Sequence, residues 1–109
     1  MKKVTIFFNR EQNLLIHIIA TIFVVIFGII LKIDDISWLL VLFSIMFVIS
    51  SELINSAIEL SVDLYTNKYN EFAKIAKDTS AAAVVISAFC ALIIGIYVFL
   101  PKIVFYLND

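Results

Sequence analysis

Five polar residues in one segment form the most chemically suggestive pattern in this chain. Glu52, Asn55, Ser56, Glu59 and Asp63 occur within an otherwise mainly apolar stretch. At about 100° per residue, Glu59 and Asp63 each lie about 20° from Glu52 around a helix axis, and the other two flank them. These spacings place all five side chains on one face of a helix, termed the acidic stripe below.

The residue types of the acidic stripe suit phosphoryl transfer. Grouped carboxylates suit Mg²⁺, which prefers oxygen ligands, and a nearby lysine suits a phosphate. A carboxylate in a low-dielectric setting can act as a general base. Glu11 and Asn13 precede one apolar segment, and Lys77 and Asp78 precede another at the same membrane level. The pattern favours metal-assisted phosphoryl transfer, but a proton- or cation-coupled transporter also requires buried carboxylates.

Other chemically active residues are sparse. His17 lies one to two turns deeper than Glu11, and a hydrogen-bond donor in the packing between helices is the simplest role for it. Cys90 is the single cysteine, so no intrachain disulfide can form. Gly28 and Gly95 stand alone in apolar runs, which excludes a glycine-rich phosphate loop. The sequence also lacks the Cys/His spacing of a zinc site.

The elements that position these residues must lie in a membrane. The chain has 109 residues, of which 63% are hydrophobic and 16% charged, and its mean hydropathy is +1.10. Average soluble domains have about 45–50% apolar and about 25% charged residues. A small soluble domain could not bury so many apolar side chains. The net charge of −1 gives no basic excess for nucleic-acid binding.

Three apolar segments are long enough to cross a bilayer, which takes about 20 residues. We expect spans at about 14–32, 36–65 (including a cytoplasmic extension) and 80–100, within a single membrane domain of residues 1–109. In lipid such spans must be helices, since three cannot close a barrel. We expect Pro101 to close the third span, and residues 66–79 to contain a short cytoplasmic surface helix. The predicted fold is all-α.

The distribution of basic residues predicts the orientation. The N-terminal segment and the second connection together carry six basic residues, and the opposite side carries two: Lys32 and Lys102. Cytoplasmic loops are enriched in Lys and Arg. We therefore expect a cytoplasmic N-terminus and an outside C-terminus. The long apolar run without an A-x-A exit argues against a cleaved signal peptide.

The segment Glu52-Leu-Ile-Asn-Ser-Ala-Ile-Glu59, followed by Asp63 and by Lys77-Asp78, resembles the prokaryotic diacylglycerol kinase family, over about residues 11–100. This family comprises small trimeric, three-span lipid kinases and includes undecaprenol kinases. The E-x-N-x-x-x-H pattern from Glu11 to His17 is similar to the undecaprenol kinase branch.

The resemblance implies an ATP- and Mg²⁺-dependent kinase that phosphorylates the primary hydroxyl of undecaprenol or diacylglycerol. It also implies a homotrimer with its sites between subunits, in the bacterial inner membrane. The residues fall into four roles: Glu52 as general base with Asn55 beside it, Glu11 and Glu59 as Mg²⁺ and nucleotide ligands, Lys77 and Asp78 as further nucleotide contacts, and Asp63, Asn13 and Ser56 as supporting residues.

The sequence departs from the family pattern in three places. Only ten residues precede Glu11, where relatives carry a longer surface helix. Leu15 stands where an arginine is common, and Asn70 where many members have a histidine. Besides the transporter, a non-catalytic member of the family is therefore a second alternative.

Overall fold

The computed structural model describes residue 2 and residues 12–108. Within this part of the chain the architecture is three long helices without strands: α1 (Gln12–Ile30), α2 (Asp35–Tyr65) and α3 (Glu71–Leu107). Each is long and apolar enough to cross a membrane. The 19, 31 and 37 residues of these helices span about 28, 46 and 55 Å. The expected all-α fold with three spans is confirmed.

Few apolar side chains are buried between the helices. The buried apolar residues are Leu14, Ile33, Val41, Val48 and Val98. Large residues such as Phe43 and Phe89 instead point outward, with 74% and 62% of their surfaces exposed. Lipid tails are as apolar as these side chains, so outward-facing Ile, Leu and Phe carry no penalty in a bilayer. The molecule is therefore a membrane protein, and α2 and α3 form its main helix pair.

A tight turn joins α1 to α2. Lys32 has a left-handed backbone with φ 54°. The amide of Ile33 donates to the Gly28 carbonyl at 3.2 Å, and the amide of Lys32 donates to the Ile29 carbonyl at 3.3 Å. This pair of bonds is a Schellman motif, which satisfies carbonyls at the end of a helix. Gly28 also lies against Trp38, whose ring would be 2.7 Å from an added Cβ.

The second connection ends in a side-chain cap. Asn70 precedes α3, and its side-chain oxygen accepts a hydrogen bond from the Ala73 amide at 3.1 Å. Such caps satisfy one of the free amides at a helix N-terminus. The short surface helix expected in residues 66–79 is present as the first turns of α3, continuous with the membrane span. Lys77 is thus carried on the same rigid element as the span.

The expectation that Pro101 ends the third helix is wrong. Pro101 lies inside α3, which continues to Leu107. Proline removes one amide donor and crowds the preceding turn, but membrane helices tolerate this where local adjustments satisfy the freed groups. Regular bonding is present beyond it, since the Asn108 amide donates to the Val104 carbonyl at 3.0 Å.

Candidate active site

Glu52 is a buried carboxylate paired across two helices. Only 5% of its side chain is exposed, and its Oε1 lies 3.0 Å from Nε2 of His17, whose side chain is 30% exposed. Burying a carboxylate costs free energy unless a partner compensates for lost water. His17 supplies that partner from α1. The pair therefore fixes where Glu52 points and ties α1 to α2.

Asn55 is oriented by hydrogen bonds on both sides of its amide. Its Nδ2 donates to Oε1 of Glu59 at 3.3 Å. Ser80 Oγ lies 2.6 Å from Asn55 Oδ1 and 3.0 Å from the Lys77 carbonyl, and its single proton donates to one of them at a time. When Ser80 donates to Asn55, the three side chains form a chain that links α3 to the Glu59 carboxylate.

Lys77 and Asp78 point to different partners. Lys77 Nζ donates to Oδ1 of Asp63 at 2.7 Å, which joins α3 to α2. Asp78 instead pairs with Lys74 at 2.6 Å on its own helix, where both side chains are largely exposed. Successive helical residues are about 100° apart, so the two neighbours cannot share one face. Lys77 contacts the acidic stripe directly through Asp63, and Asp78 borders the same pocket as Asp63 and Lys77.

The remaining predicted site residues divide into three cases. Ser56 is buried and donates to the Glu52 backbone carbonyl at 2.9 Å, so its hydroxyl serves its own helix. Asn13 is exposed in the first turn of α1, one turn before His17. Glu11 lies outside the described residues. Its predicted role as a metal ligand therefore stays a prediction.

The polar side chains form a graded series along α2. Glu59 lies seven positions after Glu52 in the sequence, and Asp63 lies four positions after Glu59. The series therefore covers about 16 Å of helix. The buried carboxylate lies at one end, and the partly exposed Asp63–Lys77 pair lies at the other. This arrangement places a hydrogen-bonded carboxylate at the buried end and a lysine ammonium, paired with Asp63, at the other end.

The donor set suits Mg²⁺ in one respect. Mg²⁺ is commonly held by one or two carboxylates together with substrate phosphates and water. Among the described residues, no group of three or more His, Cys, Asp or Glu side chains could hold an ion by itself. Glu59 offers a carboxylate, one oxygen of which accepts from Asn55. Glu59 is thus the described member of the predicted Mg²⁺ pair, since Glu11 lies outside the described residues.

One residue of the site, Ser80, was missed at the level of the sequence. The interpretation of His17 as a hydrogen-bond donor between packed helices agrees with its contact with Glu52, although the partner was not predicted. His17 had a usable signal, because a polar ring in an apolar span requires a partner. Ser80 lies three residues after Lys77, hence on nearly the same helix face.

Comparison with known proteins defines the class. Residues 1–99 match the family model described as prokaryotic diacylglycerol kinase. The chain belongs to this family of membrane lipid kinases.

The named relatives include an undecaprenol kinase and two diacylglycerol kinases. Undecaprenol kinase of Bacillus subtilis (strain 168) is 41% identical over 87% of this chain and 77% of that protein. Diacylglycerol kinase of Synechocystis sp. is 34% identical over 88% of this chain and 55% of that protein. Diacylglycerol kinase of Escherichia coli (strain K12) is 37% identical over 69% of this chain and 62% of that protein. The chain thus spans less than two thirds of both diacylglycerol kinases.

Proposed function

We propose that this protein is an ATP- and Mg²⁺-dependent kinase for the primary hydroxyl of a membrane lipid. Its place of action is the cytoplasmic surface of the bacterial inner membrane, with the N-terminus cytoplasmic and the C-terminus outside. The observation that carries the proposal is the buried Glu52 carboxylate, held by His17 at 3.0 Å at the deep end of the acidic stripe. Family membership supports an enzyme over the transporter alternative.

In the proposed reaction Glu52 accepts the proton of the lipid hydroxyl. The hydroxyl oxygen forms a bond to the γ-phosphorus of ATP as the bond to the β-phosphate oxygen breaks, which releases ADP. Bound Mg²⁺ would neutralise charge on the β- and γ-phosphates. Catalysis of this kind depends mainly on positioning and electrostatics. The chain from Ser80 through Asn55 to Glu59 fixes one carboxylate for that purpose.

We assign the nucleotide to the shallow end of the acidic stripe. Glu59 and Glu11 would hold the Mg²⁺ that accompanies ATP, and Lys77 would contact its phosphates. Lys77 donates to Asp63 at 2.7 Å, so Asp63 would keep the ammonium beside the acidic stripe. Asp78 faces Lys74, and we assign it to the outer edge of the nucleotide site rather than to the reacting phosphate.

Undecaprenol is the preferred lipid in this proposal. The E-x-N-x-x-x-H pattern ends at His17, and His17 contacts the proposed general base. The undecaprenol kinase of Bacillus subtilis also shares 41% identity with the chain. We further propose a homotrimer, in which the acidic stripe is covered by a neighbouring subunit rather than by lipid.

The test is transfer of labelled γ-phosphate from Mg²⁺-ATP to undecaprenol and diacylglycerol, offered side by side in mixed micelles. Glu52→Gln should lower the rate by at least about 100-fold, the usual range for loss of a general base, while nucleotide binding persists. Glu71→Gln is the matched control, because Glu71 is an exposed carboxylate in the first turn of α3. Normal turnover by Glu52→Gln would refute the assignment of the base. Lack of transfer by the folded wild type would favour the non-catalytic alternative.

A further inference from the structure

The last turns of α3 have no part in the candidate active site. The family match ends at residue 99, whereas α3 continues to Leu107. Its final five residues, at positions 103–107, are all apolar or aromatic and have 44–79% of their surfaces exposed. They are termed the apolar tip below. The first of them, Ile103, also lies at one end of an apolar groove between the three helices.

Charged residues define where α3 crosses the hydrocarbon. Residues 79–101 contain no charged side chain and lie between Asp78 and Lys102. They cover about 35 Å of helix, which matches a hydrocarbon core of about 30 Å when the helix has an ordinary tilt of about 20°. The core therefore ends near Lys102, and the apolar tip lies beyond it.

Contacts with the α1–α2 turn give the same level for Lys102. Val98, one turn earlier on α3, packs against Ile33 in that turn. The pKa of Asp34 in the turn is lowered by a hydrogen bond from the Ser37 side chain and, as a lesser cause, by the positive charge of Lys102. Lys102 and the turn therefore mark one boundary of the membrane core, at the end opposite the acidic stripe.

The length of the apolar tip matches the next layer of the membrane. Five helical residues rise about 7.5 Å. A bilayer is about 30 Å thick in its hydrocarbon and about 40–45 Å thick with its headgroups, which leaves about 5–8 Å for each headgroup layer. The tip is thus about as long as that layer is thick. Lys102 at its base lies where an ammonium can reach lipid phosphates while its stem stays among apolar groups.

The apolar tip has no polar face. Five successive residues, each about 100° from the last, point in all directions around the helix, and none of them is charged. A helix that docks on a protein from water keeps a polar face towards the water, whereas a helix that is apolar all round has apolar surroundings. Phe105 and Tyr106 make an edge-to-face contact with ring centroids 5.8 Å apart, and tyrosine is enriched at membrane–water interfaces. The pattern favours lipid as the cover of the tip.

We propose that the apolar tip binds the headgroup layer of the leaflet opposite the acidic stripe. Its partners are phospholipid headgroups and the acyl carbons next to them, which surround the helix on all sides. This interaction does not depend on the kinase reaction. It assigns the tip to lipid rather than to a second copy of the chain or to water.

The first experiment is a cysteine scan of the apolar tip in a Cys90→Ser background, since Cys90 is the single cysteine. Residues 103–107 are changed to cysteine one at a time, in phosphatidylcholine nanodiscs that expose both membrane faces to a charged maleimide. Two references lie on the same helix. Glu71→Cys is at an exposed position in the first turn of α3, and Phe89→Cys is at an outward-facing position within the apolar span.

The proposal predicts labelling rates that fall steadily from Leu107→Cys to Ile103→Cys without a helical period. Ile103→Cys should be labelled at least about tenfold more slowly than Glu71→Cys, because the reactive thiolate is disfavoured in apolar surroundings. Phe89→Cys should be the slowest of all. Five rates equal to that of Glu71→Cys would place the tip in water and overturn the proposal. Rates that alternate with a period of about 3.6 residues would also overturn it, because a protein would then cover one face.

A second measurement uses fluorescence and needs no reactive cysteine. Tyr106→Trp in a Trp38→Phe background leaves one tryptophan, because Trp38 is the only one in the chain. A nitroxide on the lipid headgroup should quench its fluorescence more strongly than a nitroxide in the middle of the acyl chain. Phe89→Trp in the same background should show the reverse order. Weak quenching of Tyr106→Trp by both lipids, or stronger quenching by the mid-chain nitroxide, would contradict the proposed position.

Discussion

The pair between His17 and Glu52 can be tested by removing the ring. Glu52 has only 5% of its side chain exposed, and His17→Ala takes away the Nε2 donor that lies 3.0 Å from its carboxylate. We expect a loss of stability together with a loss of activity. The loss of activity arises because the carboxylate is no longer held in one orientation, even though His17 itself does not touch the reacting atoms. His17 is thus a positioning residue.

The size of the effect follows from the burial of the two partners. An exposed ion pair contributes about 0.2–1 kcal/mol, and breaking a fully buried one costs about 3–5 kcal/mol. His17 is 30% exposed and Glu52 is 5% exposed, which places the pair between these limits. A hydrogen bond to a charged group contributes about 1.5–3 kcal/mol, and we expect a coupling in that range. Expressed in kcat, the same range corresponds to about 10–150-fold.

The assay is a double-mutant cycle of His17→Ala, Glu52→Ala and the combined variant, since alanine at either position removes the hydrogen bond. Unfolding free energies are measured by denaturing-detergent titration, and kcat is measured in the same micelles. His17→Gln is the conservative variant, because its amide can still donate to Glu52 and should recover part of kcat. A coupling below about 0.5 kcal/mol, the usual range for independent sites, would refute the argument. So would an unchanged kcat in His17→Ala.

Three further substitutions test other contacts. Ser80→Ala removes the donor to Asn55 at 2.6 Å and should reduce kcat about 3–10-fold, as expected for about 0.5–1.5 kcal/mol; an unchanged rate would mean that Asn55 needs no support from α3. Asn70→Ala removes the cap on α3 and should lower the free energy of unfolding by about 1 kcal/mol, whereas Asn70→Asp, which can still cap, should not. Gly28→Val places side-chain atoms against Trp38, which is already 2.7 Å from an added Cβ. It should cost about 1–3 kcal/mol in thermal unfolding, and a neutral result would show that the ring moves aside easily.

Much of the fold was accessible from the sequence, because the bilayer limits the possible structures. Apolar segments of sufficient length must become helices in lipid, and all three expected helices are present. The acidic stripe was equally accessible, since it depends only on the period of one helix. The separation of Lys77 from Asp78 could also have been derived in this way. Adjacent residues on a helix do not share a face.

Contacts between helices were harder to predict. Helix α1 is apolar around most of its circumference, and large residues such as Ile16, Phe23 and Ile29 are exposed. Such a helix has no polar face to indicate which side meets its neighbour. Only the structure shows that His17 turns towards Glu52. Likewise, the rule that proline breaks helices comes from helix interiors in water, and the end of α3 does not follow it.

The groove between the helices has an energetic consequence for the resting protein. In an apolar protein interior, an empty cavity costs about 24 cal/mol per Å³. The groove here, lined by His17, Val48 and Gly95 among other residues, is open along one side, so lipid tails enter it from the bilayer and this cost is avoided. In a membrane the abundant filler is the acyl chain of an ordinary lipid.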